Sequence, residues 1–261
     1  MSTSAQVLAA AARLKTAELT MEPCAPVRDL LGSEDLAAAY EVASINLRAR
    51  LQQGRKRVGR KIGLTSLAVQ MQLGVDQPDF GSLLDDMVVA PGGSVPAGRL
   101  MQPKVEAEVA FIIGSDLTGS LDSLTDLRNA ITGACVALEI VDSRIANWQI
   151  TITDTIADNA SSGMFVYSDR LVPLSEVEPR DVTMSMTVNG ELKSSGNGAA
   201  CLGDPLAALL WLAQKAQELG DPIRAGEVVL SGALGPMAVV QSGDVVKADV
   251  TGLGTVEVRF A

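Results

Sequence analysis

Apolar and polar residues alternate most regularly over residues 102–113. There Val105, Ala107, Val109, Phe111 and Ile113 fall on one face of an extended chain, and Glu106, Glu108, Ala110 and Ile112 on the other. That period predicts a β-strand, started by Pro103. Earlier in the chain the pattern is helical. Ser4 caps an expected helix over residues 4–19, and Ser33 a second one with Glu34 and Asp35 at its positive end. In the second, Leu36, Tyr40, Leu47 and Leu51 share a side and Gly54 supplies the stop. Alternation around Val58, Ile62 and Leu64 predicts a strand, followed by a short helix over 66–73 and a loop over 75–81. A turn at 116–119, a helix through Leu124, Leu127 and Ile131, and an apolar run over 135–142 come next. Residues 153–163 read as polar and irregular. The remainder is rich in β-structure. Val182, Met184, Met186 and Val188 alternate into the hairpin turn Asn189-Gly190, Asp204 and Pro205 open a helix to Gly220, and strands are expected at 226–230 and on both sides of 251–254.

A chain of 261 residues that is 47% hydrophobic can bury a real core, built mainly from Ala, Val, Leu and Ile because aromatics are only 3%. The net charge of −10 and the scarcity of stacking rings argue against a nucleic-acid partner. The absence of histidine removes Ser-His-Asp and Cys-His machinery and imidazole metal sites together. Proton chemistry must then rest on carboxylates, Lys, Tyr, Cys or a metal-bound water. Cys24, Cys135 and Cys201 are too widely spaced for a thiolate zinc site or a disulfide framework, which fits a reducing cytoplasm. The apolar run 7–12 is short and is followed by Arg13, Lys15 and Glu18, so neither a signal peptide nor a membrane span is expected.

Against that background the glutamates of residues 102–113 stand out. Glu106 and Glu108 lie about 6 to 7 Å apart along one strand face, and if partly buried they repel by roughly 2 to 3 kcal/mol at an effective dielectric near 20. An ordinary solvated strand face is the plain alternative, although Ala110 and Ile112 on the same face speak against it. Glu139, set in an apolar run, also needs a partner; Arg144 would serve a lone glutamate. Together the three make an all-oxygen set suited to Mg²⁺ or Mn²⁺. The run Arg55-Lys56-Arg57-Val58-Gly59-Arg60-Lys61 reads either as a charged surface or as the source of a lysine, such as Lys61, that binds an anion or moves a proton. The loops 75–81 and 153–163 are likewise turn chemistry or site. Residues 231–236 are rich in glycine but have neither phosphate-loop nor dinucleotide spacing; exposed N–H groups there could hold a carboxylate.

In that order, Gly59-Arg60-Lys61-Ile62-Gly63-Leu64-Thr65, residues 74–87, 102–111, 137–148, 157–163 and 230–237 make the chain resemble the 2-hydroxypenta-2,4-dienoate hydratases (2-keto-4-pentenoate hydratases) of the fumarylacetoacetate hydrolase superfamily. The resemblance implies an α+β fold, with a mainly helical region over 1–75 packed on a mixed β-sheet roll in a catalytic domain over 76–261. It implies Glu106, Glu108 and Glu139 as ligands of Mg²⁺ or Mn²⁺, with no organic cofactor. It places Lys61, Asp79 and Ser161 around the substrate, and Gly232 and Leu234 are expected to help hold it. The activity implied is addition of water to a small 2-hydroxydienoate in meta-cleavage degradation of aromatic compounds, by a homo-oligomer able to pair with a 4-oxalocrotonate decarboxylase. That decarboxylase activity itself, or a non-catalytic stabilising subunit of such a complex, are the alternatives.

Overall fold

The computed structural model describes residues 3–66, 70, 71, 75–119, 121 and 123–261. Helix α1 (Ala5–Thr20) is capped as expected, with the Ser4 hydroxyl accepting from the Val7 N–H, and ends where Met21 turns left-handed. After the single turn α2 (Arg28–Leu31), helix α3 (Leu36–Gln52) is capped by Asp35, which accepts from the Ala38 N–H at 2.9 Å, rather than by Ser33. Its buried residues are Ala39 and Val42, small enough for α1 to lie close through Ala10, Ala11 and Leu14, and Leu51 is left exposed. Of the expected helix over 66–73 only Ser66, Gln70 and Met71 belong to the described residues.

The larger sheet runs β2-β1-β9-β4-β5-β6, where β1 is Arg57–Gly63, β2 Asp79–Leu84, β4 Lys104–Ile113, β5 Ile131–Val141, β6 Ser162–Tyr167 and β9 Val228–Ala233; β10 (Ala238–Val239) adds to β4. In this sheet, among the described residues, only β1 and β9 pair in parallel. The second sheet has the order β3-β12-β11-β7-β8, from Ser94–Val95, Gly254–Phe260, Val245–Val250, Thr183–Val188 and Glu191–Asn197. Asn189 and Gly190, both at positive φ, make the expected hairpin between β7 and β8. The main core fills the space between the sheets with Val105, Val109, Phe111 and Leu138 against Met186, Val246 and Val258, closed by the helix Pro205–Glu218. The chain thus has an α+β fold, in which α3 reaches the other face of the larger sheet through Leu47. Among the described residues no helix is long and apolar enough to cross a membrane.

Three expectations about local structure are corrected. Residues 79–81 are not loop but the start of β2, because Gly63 and Lys61 of β1 pair with Asp79 and Gly81 across the sheet. The expected helix through Ile131 stops at Asn129, and Ile131 instead begins the long β5 ladder. Residues 153–157 belong to a buried helix, Ile152–Ala157, whose polar side chains point to partners rather than water. Asp154 in it is fully buried and accepts from the Val27, Arg28 and Thr151 N–H groups, the Thr151 hydroxyl and the Arg28 guanidinium, so it ties the N-terminal helices to the sheet connection.

Candidate active site and metal centre

Strands β4 and β5 form an antiparallel ladder in which Glu106 faces Glu139 directly and Glu108 faces Ala137. Directly opposed residues share a sheet face, so the alternation that set Glu106 and Glu108 on one side of β4 also brings Glu139 to them. One carboxylate oxygen from each of the three lies within 4.8 Å of the others. Glu108 and Glu139 are buried and Glu106 is partly so. At that separation each pair of charges repels by roughly 3 to 4 kcal/mol at an effective dielectric near 20.

Lys61 comes from β1, two strands away, in register with Leu230 of β9 and through it with Ala110 of β4. Its ammonium is 3.0 Å from Glu139 Oε1, an ion pair whose angles fall outside hydrogen-bond geometry, so both Glu139 oxygens lack a hydrogen-bond donor. Arg144, the partner first considered for Glu139, is engaged by Asp158 instead. Asp79, paired across from Gly63, is 1% exposed; a Cβ on Gly63 would collide with its Oδ1 and lie 3.6 Å from the Lys61 ammonium. Glycine at 63 leaves the room in which these two groups meet.

Four carboxylates therefore surround one ammonium in a nearly dry pocket. Burial raises the pKa of Glu108 and Glu106, and the charge of Glu139 raises both further; burial likewise raises that of Asp79, against the pull of Lys61. Burial works against the Lys61 ammonium, yet Glu139, Asp79, Glu106 and Glu108 together hold its pKa above the ordinary lysine range. Buried oxygens at Glu108 Oε1, Glu139 Oε1 and Oε2 without hydrogen bonds, in an all-oxygen donor set, fit a hard divalent cation.

Ser161 stands at the end of a turn, Asn159–Ser161, that links the helix Ile152–Ala157 to β6. Its hydroxyl is 3.3 Å from that of Thr155, whose side chain lies beside Asp79 and lowers its pKa against the rise from burial. Thr155 thus stands between Asp79 and Ser161, a placement no sequence signal disclosed. All three residues of the turn are left-handed, with φ of 54°, 51° and 52° at Asn159, Ala160 and Ser161. For residues with a side chain this conformation costs on the order of 1 kcal/mol or more each.

The backbone N–H groups of Gly232 and Leu234 are already engaged. The Gly232 N–H donates to Glu108 Oε2 at 2.7 Å and the Leu234 N–H to the Ala107 carbonyl at 3.0 Å, so neither N–H is an exposed donor for a carboxylate. Gly232 instead fixes one oxygen of Glu108 and leaves the other for an ion. Lys104 is a further residue that the sequence did not flag. It shares the β4 face of Glu106 and Glu108, and its ammonium sits 4.2 Å from the centroid of the Trp148 ring. The indole N–H is held by the Gln102 carbonyl at 3.0 Å, and among the described residues no carboxylate lies within 4 Å of the Lys104 ammonium.

A separate cavity of about 100 Å³ lies between α1, α3 and the turn before β6, lined by Leu14, Leu47, Arg50, Met87, Asn159 and Ser162 among others. None of the three glutamates lines it, and its arginines are already spent: Arg50 on Glu18 and Asp86, Arg99 on Asp86, Arg144 on Asp158.

Residues 52–261 match the fumarylacetoacetate (FAA) hydrolase C-terminal family model. The chain is 54% identical over 253 residues, 97% of its length and 96% of the relative's, to 2-keto-4-pentenoate hydratase 1 of Dechloromonas aromatica (strain RCB). It is 47% identical over 260 residues to 2-keto-4-pentenoate hydratase of Burkholderia vietnamiensis (strain G4 / LMG 22486), covering 100% of this chain and 99% of that one. Among solved structures, 4-oxalocrotonate decarboxylase from Pseudomonas putida G7, complexed with magnesium and adipate, superimposes with a TM-score of 0.94 at 36% identity, over 100% of this chain and 99% of the other.

Proposed function

The chain belongs to the fumarylacetoacetate hydrolase family, and from that premise we propose that it is a metal-dependent hydro-lyase acting on 2-hydroxypenta-2,4-dienoate. The product is 4-hydroxy-2-oxopentanoate. The observation that carries the reading is the convergence of Glu106, Glu108 and Glu139 beside Lys61 in a chain matching named hydratases at 54% and 47% identity over nearly its whole length. The solved decarboxylase relative, at 36%, is more distant in sequence.

Glu106, Glu108 and Glu139 would hold a divalent cation, Mg²⁺ or Mn²⁺, which when bound supplies Lewis-acid polarisation of the substrate's 2-oxygen. The remaining work falls to the chain's own groups. Proton loss from the 2-hydroxyl and proton gain at C5 convert the dienol to the unsaturated 2-keto acid. Water then adds its oxygen at C4 and a proton is gained at C3. Lys61, kept charged by its carboxylate neighbours, pairs with the anionic substrate and draws electron density towards the 2-oxygen. Asp79, whose burial favours its protonated form, is the proton carrier. The Ser161 hydroxyl, beside Thr155 and on the same side as Asp79, is the hydrogen-bonding aid that orients the substrate or the water. The same reading includes a cytoplasmic homo-oligomer that pairs with a 4-oxalocrotonate decarboxylase.

Loss of the conjugated dienol's absorbance tests the reading. Chelator should abolish turnover and Mg²⁺ or Mn²⁺ should restore it, while full activity of metal-free protein contradicts the metal role. Release of CO₂ from 4-oxalocrotonate without hydration of the dienoate would make the chain a decarboxylase. Turnover by the purified chain alone excludes a purely stabilising subunit.

A further inference from the structure

The three consecutive left-handed residues before β6 need something to hold them. Ala160 and Ser161 are buried, but Asn159, at the start of the turn, borders the cavity described above together with Ser162 and Gly163. The Asn159 side chain supplies a hold of its own there. Its Oδ1 accepts from the Ser82 N–H at 2.8 Å and its Nδ2 donates to the Ser82 carbonyl at 2.9 Å, so the amide docks on β2 as a neighbouring strand would. Its own carbonyl accepts from the Ser162 hydroxyl at 2.8 Å. Gly81 lets the turn come this close: a Cβ there would collide with the Asn159 carbonyl and stand 2.8 Å from Ser162 Oγ. On the far side the Ser161 carbonyl accepts from the Asp142 N–H at 2.8 Å and the Ser161 N–H reaches the Asp158 carbonyl at 3.0 Å. The docked strand, β2, is the one that carries Asp79, so one side chain sets the spacing between the two segments that bear Asp79 and Ser161.

We infer that Asn159 is a positioning residue, an amide strut that holds the left-handed turn against β2 so that the Ser161 hydroxyl stays within reach of Thr155 and Asp79. The inference rests on the role proposed for Ser161. Asparagine suits the place twice, since its side chain tolerates the left-handed conformation and offers one donor and one acceptor.

The test compares the Mg²⁺-loaded enzyme with Asn159→Gly, Asn159→Asp, Ser161→Ala and the double variant Asn159→Gly/Ser161→Ala, assayed on 2-hydroxypenta-2,4-dienoate. Glycine keeps the backbone free to be left-handed and removes only the strut; aspartate keeps the acceptor for the Ser82 N–H and loses the donor. Asn159→Gly should lower kcat by roughly ten- to a hundred-fold, the scale of an ångström misplacement, with KM within about two-fold, and Asn159→Asp should fall between it and wild type. The double variant should be within about two-fold of Ser161→Ala, because a residue acting through Ser161 has nothing left to position. Mn²⁺ affinity should stay at the wild-type value in all of them, since the three glutamates are on other strands. Should Asn159→Gly fail to fold, Gly81→Ala, which pushes on the same carbonyl, should reproduce the kcat loss. Wild-type kcat in Asn159→Gly beside a slow Ser161→Ala overturns the strut alone. Losses that multiply in the double variant make Asn159 independent of Ser161 and overturn it too. Full activity in Ser161→Ala removes the proposed role of Ser161, and the strut with it.

Discussion

Glu108→Gln should make the metal-free protein more stable while removing its response to metal, an opposition in sign that a merely structural glutamate would not produce. Glu108 is fully buried and has Glu106 and Glu139 oxygens within 4.8 Å. Two such repulsions amount to roughly 7 kcal/mol at an effective dielectric near 20, before Lys61 and proton uptake offset most of it. Glutamine keeps the acceptor for the Gly232 N–H at little change in volume. A net gain of about 1 to 3 kcal/mol in unfolding free energy is therefore expected at pH 8 in chelator. The pH dependence has a definite sign. Burial raises the Glu108 pKa in the folded state, so the wild-type protein binds the proton more readily folded than unfolded and loses stability as pH rises through the folded value. The gain from glutamine is thus largest at high pH and disappears below the ordinary glutamate range, where the carboxyl is protonated in both states. Urea unfolding with and without Mn²⁺ reads both effects. Wild type should gain about 2.7 kcal/mol at a hundred times the Kd, and the variant almost nothing at that concentration. A variant less stable than wild type in chelator, or one with an undiminished Mn²⁺ response, refutes the reasoning.

Three other outcomes are expected. Lys104→Met should raise KM for the anionic substrate roughly three- to ten-fold, for one charge about 7 Å away at an effective dielectric of 40 to 80, with kcat nearly unchanged and rescue by Lys104→Arg; steady-state kinetics at two ionic strengths decide it. Asp154→Ala strips a buried carboxylate from three backbone N–H groups and Arg28, and should cost about 3 kcal/mol or more in chemical denaturation. Ala160→Gly relieves a left-handed residue at φ 51° and should leave stability unchanged or raise it by up to about 1 kcal/mol, whereas Ala160→Val should lower it measurably in the same experiment.

Much of this was legible in the chain because it depends on neighbours in sequence. Period-two alternation put Glu106 and Glu108 on one face of β4, Asn189-Gly190 made its hairpin, and Asp204-Pro205 opened its helix, with Asp204 accepting from the Leu206 N–H. What escaped depends on partners far away along the chain. Asp79 reads as loop because its strand exists only through β1, and the helix Ile152–Ala157 looks irregular because Thr153 and Asp154 satisfy themselves on Ser33, Val27 and Arg28 more than a hundred residues earlier. The free N–H groups expected near Gly232 were taken up by Glu108 and the Ala107 carbonyl. Thr155 and Asn159 act through geometry that no spacing announces.

Glu106, Glu108 and Glu139 all grow from one antiparallel ladder, continuous from Lys104 to Ile112, whereas Asp79 lies on an edge strand and Ser161 on a left-handed turn whose first residue borders a cavity. The two halves stand on different segments and meet at Lys61, which pairs with Glu139 and lies beside Asp79. Drift in the edge strand or the turn would shift Asp79 and Ser161 while the three glutamates keep their places on the ladder, so altering that softer side is a route to new chemistry on this scaffold.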